Sequence, residues 1–300
     1  MPRLSVIVPA YNAAGTIASA LRSTLRALPR DAEIVVLDDG STDDTAGAAR
    51  GTGDRRVRVL SRPNRGVSAT LTDLLDATDS ELVARMDADD LVLPGRFRRQ
   101  LTALDGGADA VFTTVVTWGS GLPGVPRPTG IDAEDFGLHL LLTNPVAHST
   151  LVARRSAIVD AGGYRSLPTE DYDLWLRMVE HGARIRRLAL PGLAYRVHPG
   201  QVTASETWRR SSWENTEIAE SYSTLAERLI GAPATRITSL SIDDSLSAKE
   251  KLAEVDRFSA LFRRALDGHR PSAQRALRRK LAERRAWLAA RVDDAAVAAR

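Results

Sequence analysis

The first third of the chain alternates short apolar, β-branched runs with longer stretches whose apolar residues recur at helical spacing. This alternation is typical of parallel strands joined by crossover helices. Four strands are predicted: Leu4–Val8, Glu33–Leu37, Val57–Leu60 and Leu82–Met86. Three helices are predicted between them: Thr16–Ala27, Thr42–Ala49 and Val67–Ala77. The pattern therefore predicts an α/β fold with a mostly parallel central sheet flanked by helices.

Polar or acidic segments follow three of the four predicted strands. Pro9–Gly15 follows the first strand, Asp38–Ser41 the second and Asp87–Asp90 the fourth. Because parallel strands share one direction, these segments are expected at the same edge of the sheet. Open α/β sheets bind their ligands at that carboxyl edge. The sequence therefore predicts a ligand site formed by these loops.

The last third of the chain has a different composition. After about residue 204, Ala, Arg, Glu and Leu predominate, which predicts helices through the C-terminus with a break near Gly231–Asp244. We place a domain boundary here, with residues 1–204 as the ligand-binding domain and residues 205–300 as a helical, basic C-terminal region. Residues 119–130 are rich in Pro and Gly, which predicts a surface loop.

The composition is that of a folded protein with a full hydrophobic core. The chain has 300 residues, of which 43% are hydrophobic, so disorder is not expected. It has no cysteine, which excludes a disulfide framework and metal sites with cysteine ligands. We find no signal peptide and no apolar stretch of about 18 residues that could span a bilayer. We interpret the chain as a cytoplasmic protein.

The formal net charge of +3 conceals an uneven distribution. Residues 251–300 carry 13 Lys or Arg against 6 Asp or Glu. Three interpretations of this basic region stay open: a solvated helix face, peripheral docking on the anionic cytoplasmic membrane, or contacts within a homo-oligomer. Nucleic acid is disfavoured as a partner, because the region has no recognisable nucleic-acid motif and few interleaved aromatic residues.

The acidic segment after the fourth strand has two interpretations. Asp87 and Asp89 are spaced so that both carboxylates can reach one divalent cation, and hard oxygen ligands suit Mg²⁺ or Mn²⁺. Alternatively, the segment caps a helix that begins near Leu91–Pro94. The motif alone does not decide between a metal site and a helix cap.

Six motif segments follow one another along the chain: Ser5–Asn12, Val36–Asp43, Asn64–Gly66, Ala84–Asp90, Thr169–Arg177 and Tyr195–Gly200. This ordered set resembles the inverting family-two glycosyltransferases, and the resemblance covers roughly residues 3–203. It implies the glycosyltransferase-A fold, in which a Rossmann-like sheet binds a nucleotide-sugar. The implied activity is transfer of a sugar from a nucleotide-diphosphate donor, with UDP favoured, to a hydroxyl of a saccharide or lipid-linked acceptor. Such a reaction belongs to the biosynthesis of polysaccharides, glycolipids or other glycoconjugates.

The resemblance also implies which residues bind the donor and the metal. Asp39 would accept a hydrogen bond from the base or ribose, and Asp87 matches the carboxylate on the ribose or diphosphate side. Asp89 matches a direct ligand of Mn²⁺ or Mg²⁺, and His198 matches a position that can approach the metal or the diphosphate. A metal held there would act as a Lewis acid on the diphosphate leaving group. The other residues implied to line the nucleotide pocket are Pro9, Ala10, Tyr11 and Asn12.

Inversion needs a carboxylate opposite the leaving group that accepts the proton of the acceptor hydroxyl. The resemblance assigns this role to Asp171, and it makes Glu170 a residue that orients the acceptor or raises the proton affinity of Asp171. The same pair precedes the predicted helix Tyr172–Val179, and acidic residues are favoured in a first helical turn. Both roles can hold together.

The chain departs from the family pattern after Asn64–Gly66. Many relatives have an Arg-Asn pair where Leu71 and Thr72 stand here. The donor contact that this arginine usually makes is therefore in doubt, and Arg65 or Arg85 is expected to replace it. Arg85 also has a structural interpretation, as one partner of a salt bridge.

Two other function classes compete with sugar transfer. A nucleotidyltransferase would share the sheet and the carboxylate-bound Mg²⁺, but the loop Pro9–Gly15 lacks the Gly-rich, basic character typical of that class. A degenerate glycosyltransferase that serves as a scaffold or sensor would fit the changes at Leu71 and Thr72. The retained Asp87, Asp89 and Asp171 argue against such a protein.

Overall fold

The computed structural model describes residues 2–119, 124, 127–198, 201 and 205–298, with side chains up to residue 292. Part of the predicted surface loop at 119–130 lies outside the described residues. Pro199 and Gly200, the end of the last motif segment, also lie outside them.

Contacts divide the chain into two compact units. The sheet unit comprises Met1–Ala133, Val146–Ser166 and His181–Gln201, and the helical unit comprises Glu134–Pro145, Leu167–Glu180 and Val202–Arg300. Two internal segments thus group with the C-terminal helices. The division at residue 204 into two domains stays a prediction.

The sheet unit contains a sheet of eight strands among the described residues. They are β1 (Leu4–Ala10), β2 (Ala32–Asp39), β3 (Val57–Arg62), β4 (Leu82–Arg85), β5 (Leu91–Val92), β6 (Ala110–Gly119), β7 (Val152–Arg154) and β8 (Ile185–Val197). The strand order is β3-β2-β1-β4-β7-β6-β8-β5, with four parallel and three antiparallel pairings. The predicted α/β class and the mostly parallel sheet are confirmed, and the antiparallel strands make the sheet mixed.

Helices follow or separate these strands. In chain order the described residues form α1 (Ile17–Ala27), α2 (Thr45–Arg50), α3 (Val67–Asp76), α4 (Arg96–Asp105), α5 (Ala133–Leu140), α6 (Arg155–Asp160), α7 (Glu170–Glu180), α8 (Glu206–Glu214), α9 (Thr216–Ile230), α10 (Ile237–Ile242), α11 (Ala248–Ala265) and α12 (Pro271–Ala298). The first three correspond to the predicted crossover helices. The predicted C-terminal break is only partial, because it contains the short helix α10.

Strand β1 lies in the interior of the sheet, between β2 and β4, and both of its faces are buried. Val6, Ile7 and Val8 are fully buried, and β1 pairs with β2 on one side and β4 on the other. A parallel strand that is covered on both faces typically has a continuous run of apolar residues in its sequence. This composition is what makes the strand recognisable from sequence.

The register of the parallel strands brings the polar loops together. Ala10 at the end of β1 pairs with Asp38 in β2, and Ile7 pairs with Arg85 at the end of β4. The loops that follow these strands therefore begin next to each other at the carboxyl edge. This is the edge at which the sequence predicts a ligand site.

The helical unit has its own core and well-defined helix ends. Leu174 and Trp175 of α7 are fully buried, as is Leu225 of α9. Ser247 begins α11 with a capping box, in which its side chain and Glu250 bond to each other's backbone amides. Among the described helices, none combines the length and the apolar character needed to cross a bilayer.

Candidate active site

The loop after β1 is held against the loop after β2. Asn12 has a positive φ of 48°, a conformation that asparagine tolerates better than most residues. Its Oδ1 accepts a hydrogen bond from the Thr42 amide at 2.9 Å, and its own amide donates to Ser41 Oγ at 2.8 Å. Tyr11 is 53% exposed and is therefore accessible to a ligand. Pro9–Asn12 thus form a fixed rim at the carboxyl edge.

Asp39 is a buried carboxylate with three donors. The amide of Arg65 donates to its Oδ1 at 3.0 Å, and the amide of Gly66 donates to its Oδ2 at 2.8 Å. Arg62 Nη2 lies 2.9 Å from the same Oδ1. Since a carboxylate offers about four lone-pair positions, one acceptor position remains for a ligand. Asp38, in contrast, accepts from the amide of the following turn and has a structural role.

Arg62 is a site residue that the sequence reasoning missed. It contacts Asp39, and its Nη1 also lies 3.2 Å from Asp73 Oδ2. Arg65 Nη1 lies 3.4 Å from the same oxygen, with its side chain 62% exposed. Leu71 is fully buried, so the position where the family resemblance predicts an arginine serves core packing here. Positive charge at this rim comes from residues 62 and 65 instead.

Three carboxylates cluster directly after β4. Side-chain oxygens of Asp87, Asp89 and Asp90 all lie within 4.8 Å of one another. His198, which follows β8, places its Nε2 3.2 Å from Asp89 Oδ2. Carboxylate oxygens with one imidazole nitrogen are a donor set that suits Mn²⁺ and related divalent cations. The two residues predicted as metal ligands therefore meet, and Asp90 adds a carboxylate that the prediction did not assign.

The helix-cap alternative for this acidic segment is not observed. Leu91–Val92 forms strand β5, and α4 begins only at Arg96, with Gly95 as its N-cap. The carboxylates are therefore not explained by capping of an adjacent helix.

Asp90 ties strand β8 to the acidic cluster. It is 1% exposed, and its Oδ1 accepts a hydrogen bond from the Arg196 amide at 2.8 Å. Burial, followed by the negative charge of Asp87, raises the pKa of Asp90 to about 8. Arg196 lies two residues before His198, so the hydrogen bond from its amide to Asp90 also helps to hold His198 beside Asp89.

Arg85 orients Asp87 through a bidentate ion pair. Nη2 lies 2.6 Å from Asp87 Oδ1, and Nη1 donates to Oδ2 at 3.1 Å. Arg85 is 9% exposed, so the pair is largely shielded from solvent. A two-point contact fixes the plane of the carboxylate as well as its position. The predicted salt bridge of Arg85 is therefore observed. Its partner, Asp87, is one of the residues predicted to bind the donor.

Arg96 adds a second buried cation near the cluster. Its Nη2 donates to the carbonyl of Arg85 at 3.1 Å, and its Nε donates to Gln100 Oε1 at 3.1 Å. Burial lowers the pKa of Arg96 to about 9, while the charges of Asp90 and Asp87 act in the opposite direction. Arg96 thus links backbone segments and also offsets part of the negative charge of the cluster.

Glu170 and Asp171 form the first turn of α7 in the helical unit. Asn144 Nδ2 donates to Asp171 Oδ2 at 2.9 Å, and the Tyr172 amide donates to Asp171 Oδ1 at 2.7 Å. Glu170 is buried, whereas Asp171 is partly exposed. The helix-start interpretation of this pair is confirmed. The role of Asp171 as a base stays a prediction.

Comparison with known proteins gives matches over much of the chain. The model of the family described as Glycosyl transferase family 2 matches residues 5–160. The succinoglycan biosynthesis protein ExoU of Rhizobium meliloti (strain 1021) is 35% identical over 220 residues, which cover 67% of this chain and 64% of ExoU. The UDP-Glc:alpha-D-GlcNAc-diphosphoundecaprenol beta-1,3-glucosyltransferase WfaP of Escherichia coli is 26% identical over 211 residues, which cover 69% of this chain and 82% of WfaP.

A solved structure shares the fold over nearly the whole chain. S. aureus TarS 1–349 in complex with UDP-GlcNAc aligns with a TM-score of 0.64 at 17% sequence identity. The alignment covers 99% of this chain and 92% of that chain.

Proposed function

The chain belongs to glycosyl transferase family 2 and is a glycosyltransferase with the glycosyltransferase-A fold. From this premise we propose that it transfers a sugar from a UDP-sugar to an acceptor hydroxyl, with inversion at the anomeric carbon. The observation that carries the proposal is the meeting of Asp87, Asp89 and His198 at the carboxyl edge of the sheet. This edge is where open α/β sheets bind nucleotides. The donor set suits a cation that also binds phosphate oxygens.

Asp89 and His198 would hold Mn²⁺ or Mg²⁺, with Asp87 on the ribose or diphosphate side. The 3.2 Å separation of the Asp89 and His198 donor atoms supports a shared cation. A bound divalent cation would supply Lewis-acid stabilisation of the charge that develops on the diphosphate. An imidazole ligand favours Mn²⁺ over Mg²⁺, because Mg²⁺ prefers oxygen ligands.

The donor proposal assigns the uridine end to the loops after β1 and β2. Asp39 would accept a hydrogen bond from the uracil base or the ribose, and Pro9, Ala10, Tyr11 and Asn12 would line the pocket. The remaining acceptor position of Asp39 and the exposed ring of Tyr11 support these roles. Uridine is further supported by the relatives, since WfaP is named for UDP-Glc and TarS was solved with UDP-GlcNAc.

Arg85 and Arg65 would supply the positive charge that Leu71 does not provide. Arg85 contributes by fixing Asp87 in one orientation. Arg65 has a largely exposed side chain at the rim of the pocket, where it can turn towards a diphosphate. Arginine suits diphosphate binding because its planar guanidinium group can donate two hydrogen bonds to phosphate oxygens.

Asp171 would act as the general base. In the proposed reaction, the acceptor hydroxyl oxygen bonds to the anomeric carbon while the bond from that carbon to the diphosphate oxygen breaks. The hydroxyl proton passes to the Asp171 carboxylate, and UDP leaves with the electron pair. Glu170 would orient the acceptor or raise the proton affinity of Asp171. The hydrogen bond from Asn144 supports a fixed orientation of the base.

A saccharide or lipid-linked acceptor and a place in polysaccharide biosynthesis complete the proposal. The names of ExoU and WfaP, which refer to succinoglycan and to a diphosphoundecaprenol-linked sugar, support this assignment. A cytoplasmic location, peripheral membrane contact through the basic C-terminal helices, and homo-oligomer formation stay predictions. Sedimentation with anionic vesicles and light scattering test the last two.

A thermal-shift panel of nucleotides and nucleotide-sugars with Mn²⁺ tests the donor class. UDP and one or more UDP-sugars are expected to raise the melting temperature, whereas GDP and dTDP are expected to have little effect. A subsequent transfer assay separates an enzyme from a sugar-nucleotide sensor, because a sensor would bind the donor without turnover. A panel in which no uridine nucleotide stabilises the protein would contradict the proposal.

A further inference from the structure

The side chain of Arg196 contacts both the loop after β4 and the strand β6. Its Nε donates to the main-chain carbonyl of Asp89 at 3.1 Å, and its Cζ lies 4.1 Å from the centroid of the Trp118 ring. The ring is itself fixed, since Trp118 Nε1 donates to the carbonyl of Ala194 at 3.1 Å. These contacts join three segments of the sheet unit: the end of β6, the end of β8 and the loop after β4.

The sheet topology brings these contacts to the carboxyl edge. β4 pairs antiparallel with β7, and β7 pairs antiparallel with β6, so β6 runs in the same direction as β4. β8 is parallel to β6, and Trp118 pairs with Arg196 in the register of these two strands. Each of these residues is the penultimate residue of its strand. The ring and the guanidinium group therefore lie at the edge that carries the acidic cluster.

Arg196 is bonded to the segments that carry both predicted metal ligands. Its side chain binds the carbonyl of Asp89, and its amide donates to Asp90 Oδ1 at 2.8 Å. Its own carbonyl accepts a hydrogen bond from Gln201 Nε2 at 2.9 Å, which closes the segment around His198. The guanidinium group binds Asp89 through the main chain, so this bond does not use the carboxylate oxygens. One residue thus fixes the positions from which the carboxylate and the imidazole approach each other to 3.2 Å.

The ring of Trp118 holds the Arg196 guanidinium group in this position. Three carboxylates lie close together in the acidic cluster, and each of them attracts a guanidinium group. An ion pair with Asp89 would occupy the carboxylate oxygens that a cation needs. The face of a tryptophan ring attracts the same positive charge and competes with the carboxylates for it. Because Trp118 is partly buried and hydrogen-bonded, it can keep the guanidinium group on the main-chain carbonyl.

Metal affinity depends on the residues that orient the ligands, and each such residue contributes about 10–100-fold. An arginine cannot itself be a ligand, because its guanidinium group has donors and no acceptor. On the basis of the proposed metal-assisted donor site, we infer that Arg196 is a positioning residue for this site and that Trp118 holds its guanidinium group in place. Arg196 acts on the main chain at Asp89, and it sets the separation of the two ligand atoms without binding the cation.

The Mn²⁺ affinity of the UDP-saturated full chain, measured by calorimetric titration, tests this role. Arg196→Ala is expected to weaken Mn²⁺ binding at least about tenfold, within the range that residues orienting metal ligands contribute. Trp118→Leu is expected to weaken it in the same direction but less, because the main-chain bonds of Arg196 remain. UDP affinity in EDTA is expected to stay unchanged in both variants, since neither side chain would contact the nucleotide.

Two further variants and one control separate positioning from a general loss of structure. Trp118→Phe keeps an aromatic face for the guanidinium group and is expected to keep most of the Mn²⁺ affinity. The double variant Arg196→Ala/Trp118→Leu is expected to bind no more weakly than Arg196→Ala, because Trp118 acts through Arg196. The matched control is Trp287→Leu in α12, which removes a ring whose centroid lies 4.6 Å from the Cζ of Arg291, and it is expected to have wild-type Mn²⁺ affinity. Circular dichroism melts in EDTA check that each variant is folded.

The inference is overturned by a folded Arg196→Ala that binds Mn²⁺ as the wild type does, by equal losses in Trp118→Phe and Trp118→Leu, or by additive losses in the double variant. Weaker UDP binding in EDTA would also overturn it, because Arg196 would then contact the nucleotide directly. If Arg196→Ala does not fold, the comparison of Trp118→Phe with Trp118→Leu still decides. Wild-type UDP binding that does not depend on Mn²⁺ would contradict the proposed donor site itself, whereas Mn²⁺ dependence that every variant keeps would remove only the positioning role.

Discussion

His198 Nε2 lies 3.2 Å from Asp89 Oδ2, although one residue follows β8 and the other follows β4. The contact depends on the antiparallel pairing of Leu91 with Ala194 between β5 and β8, and on the buried hydrogen bond from the Arg196 amide to Asp90. Two segments that are far apart in the sequence, those after β4 and after β8, thus place a carboxylate and an imidazole side by side.

Replacing Asp171 by Asn should abolish transfer while leaving UDP binding intact. The variant keeps the size of the side chain, but it replaces one of the two acceptor oxygens with an amide donor and removes the ability to accept a proton. Loss of a general base lowers turnover by about 10²–10⁴-fold. Release of UDP from the identified donor and acceptor measures turnover, with the exposed Asp267→Asn as the control. Wild-type turnover in Asp171→Asn would remove Asp171 as the base.

Replacing Arg85 by Lys should weaken use of the donor. Lysine keeps the charge but loses the bidentate contact to Asp87, and a charge-assisted hydrogen bond contributes about 1.5–3 kcal/mol, so kcat/KM should fall about tenfold or more. Arg99→Lys, at an exposed position of α4, is the matched control. Unchanged kcat/KM in Arg85→Lys would show that the bidentate contact between Arg85 and Asp87 is not needed for use of the donor.

Replacing Asp90 by Asn should stabilise the metal-free protein increasingly as the pH rises. The Asp90 pKa is about 8 in the folded protein, raised by burial and by Asp87, whereas an aspartate in an unfolded chain ionises near pH ~4. Folding therefore takes up a proton in this range, and wild-type stability falls as the pH rises from about 4 to about 8. Asn has no such dependence and can still accept the Arg196 hydrogen bond.

Melting temperatures of both proteins in EDTA from pH 5 to pH 8 test this pH dependence. The difference in favour of Asp90→Asn should grow with pH, whereas the exposed Asp76→Asn should show no trend. A constant or shrinking difference would mean that Asp90 is not protonated in the folded protein at neutral pH.

Replacing Gly40 by Ala should destabilise the protein more than replacing Gly53 by Ala. Both glycines have positive φ, which costs an alanine about 1–2 kcal/mol. A Cβ at Gly40 would also lie 2.6 Å from the backbone nitrogen of Asn64, whereas a Cβ at Gly53 has no neighbour within 4 Å. Urea unfolding of both variants provides the comparison. Equal losses of stability would show that the approach of Asn64 to Gly40 is not tight.

Among the strands that the sequence pattern identifies, β1, β2 and β4 are buried on both faces, whereas β3 is only partly buried. β1 and β2 are continuous apolar runs, and their ends locate the acidic and polar loops correctly. β5 and β7 have only two and three residues, which is too short for a periodic pattern. β8 is long, but only a few of its residues are fully buried, so its apolar signal is weak. Strands β5 to β8, which take part in the three antiparallel pairings, are therefore not predicted by the sequence pattern.

The site residues that the sequence reasoning missed have roles that depend on tertiary contacts. Arg62 follows no motif, and its contact with Asp39 arises from the pairing of β2 with β3. Asp90 stands within the acidic motif, but its burial becomes apparent only once β8 packs against it. The resemblance to a known family, in contrast, predicts Asp89 and His198 as parts of one site although they lie far apart in the chain. The structure brings the two side chains together, and their role as metal ligands stays a prediction.

Calorimetric titration with UDP, with and without Mn²⁺, tests the central claim that Asp89 and His198 form a metal-assisted donor site. The wild type is expected to bind UDP more tightly with Mn²⁺ than without it. Asp89→Ala is expected to lose this dependence, while Asp76→Ala, at an exposed position of α3, keeps it. UDP affinity that does not depend on Mn²⁺ in the wild type, or a dependence that survives in Asp89→Ala, would contradict the account.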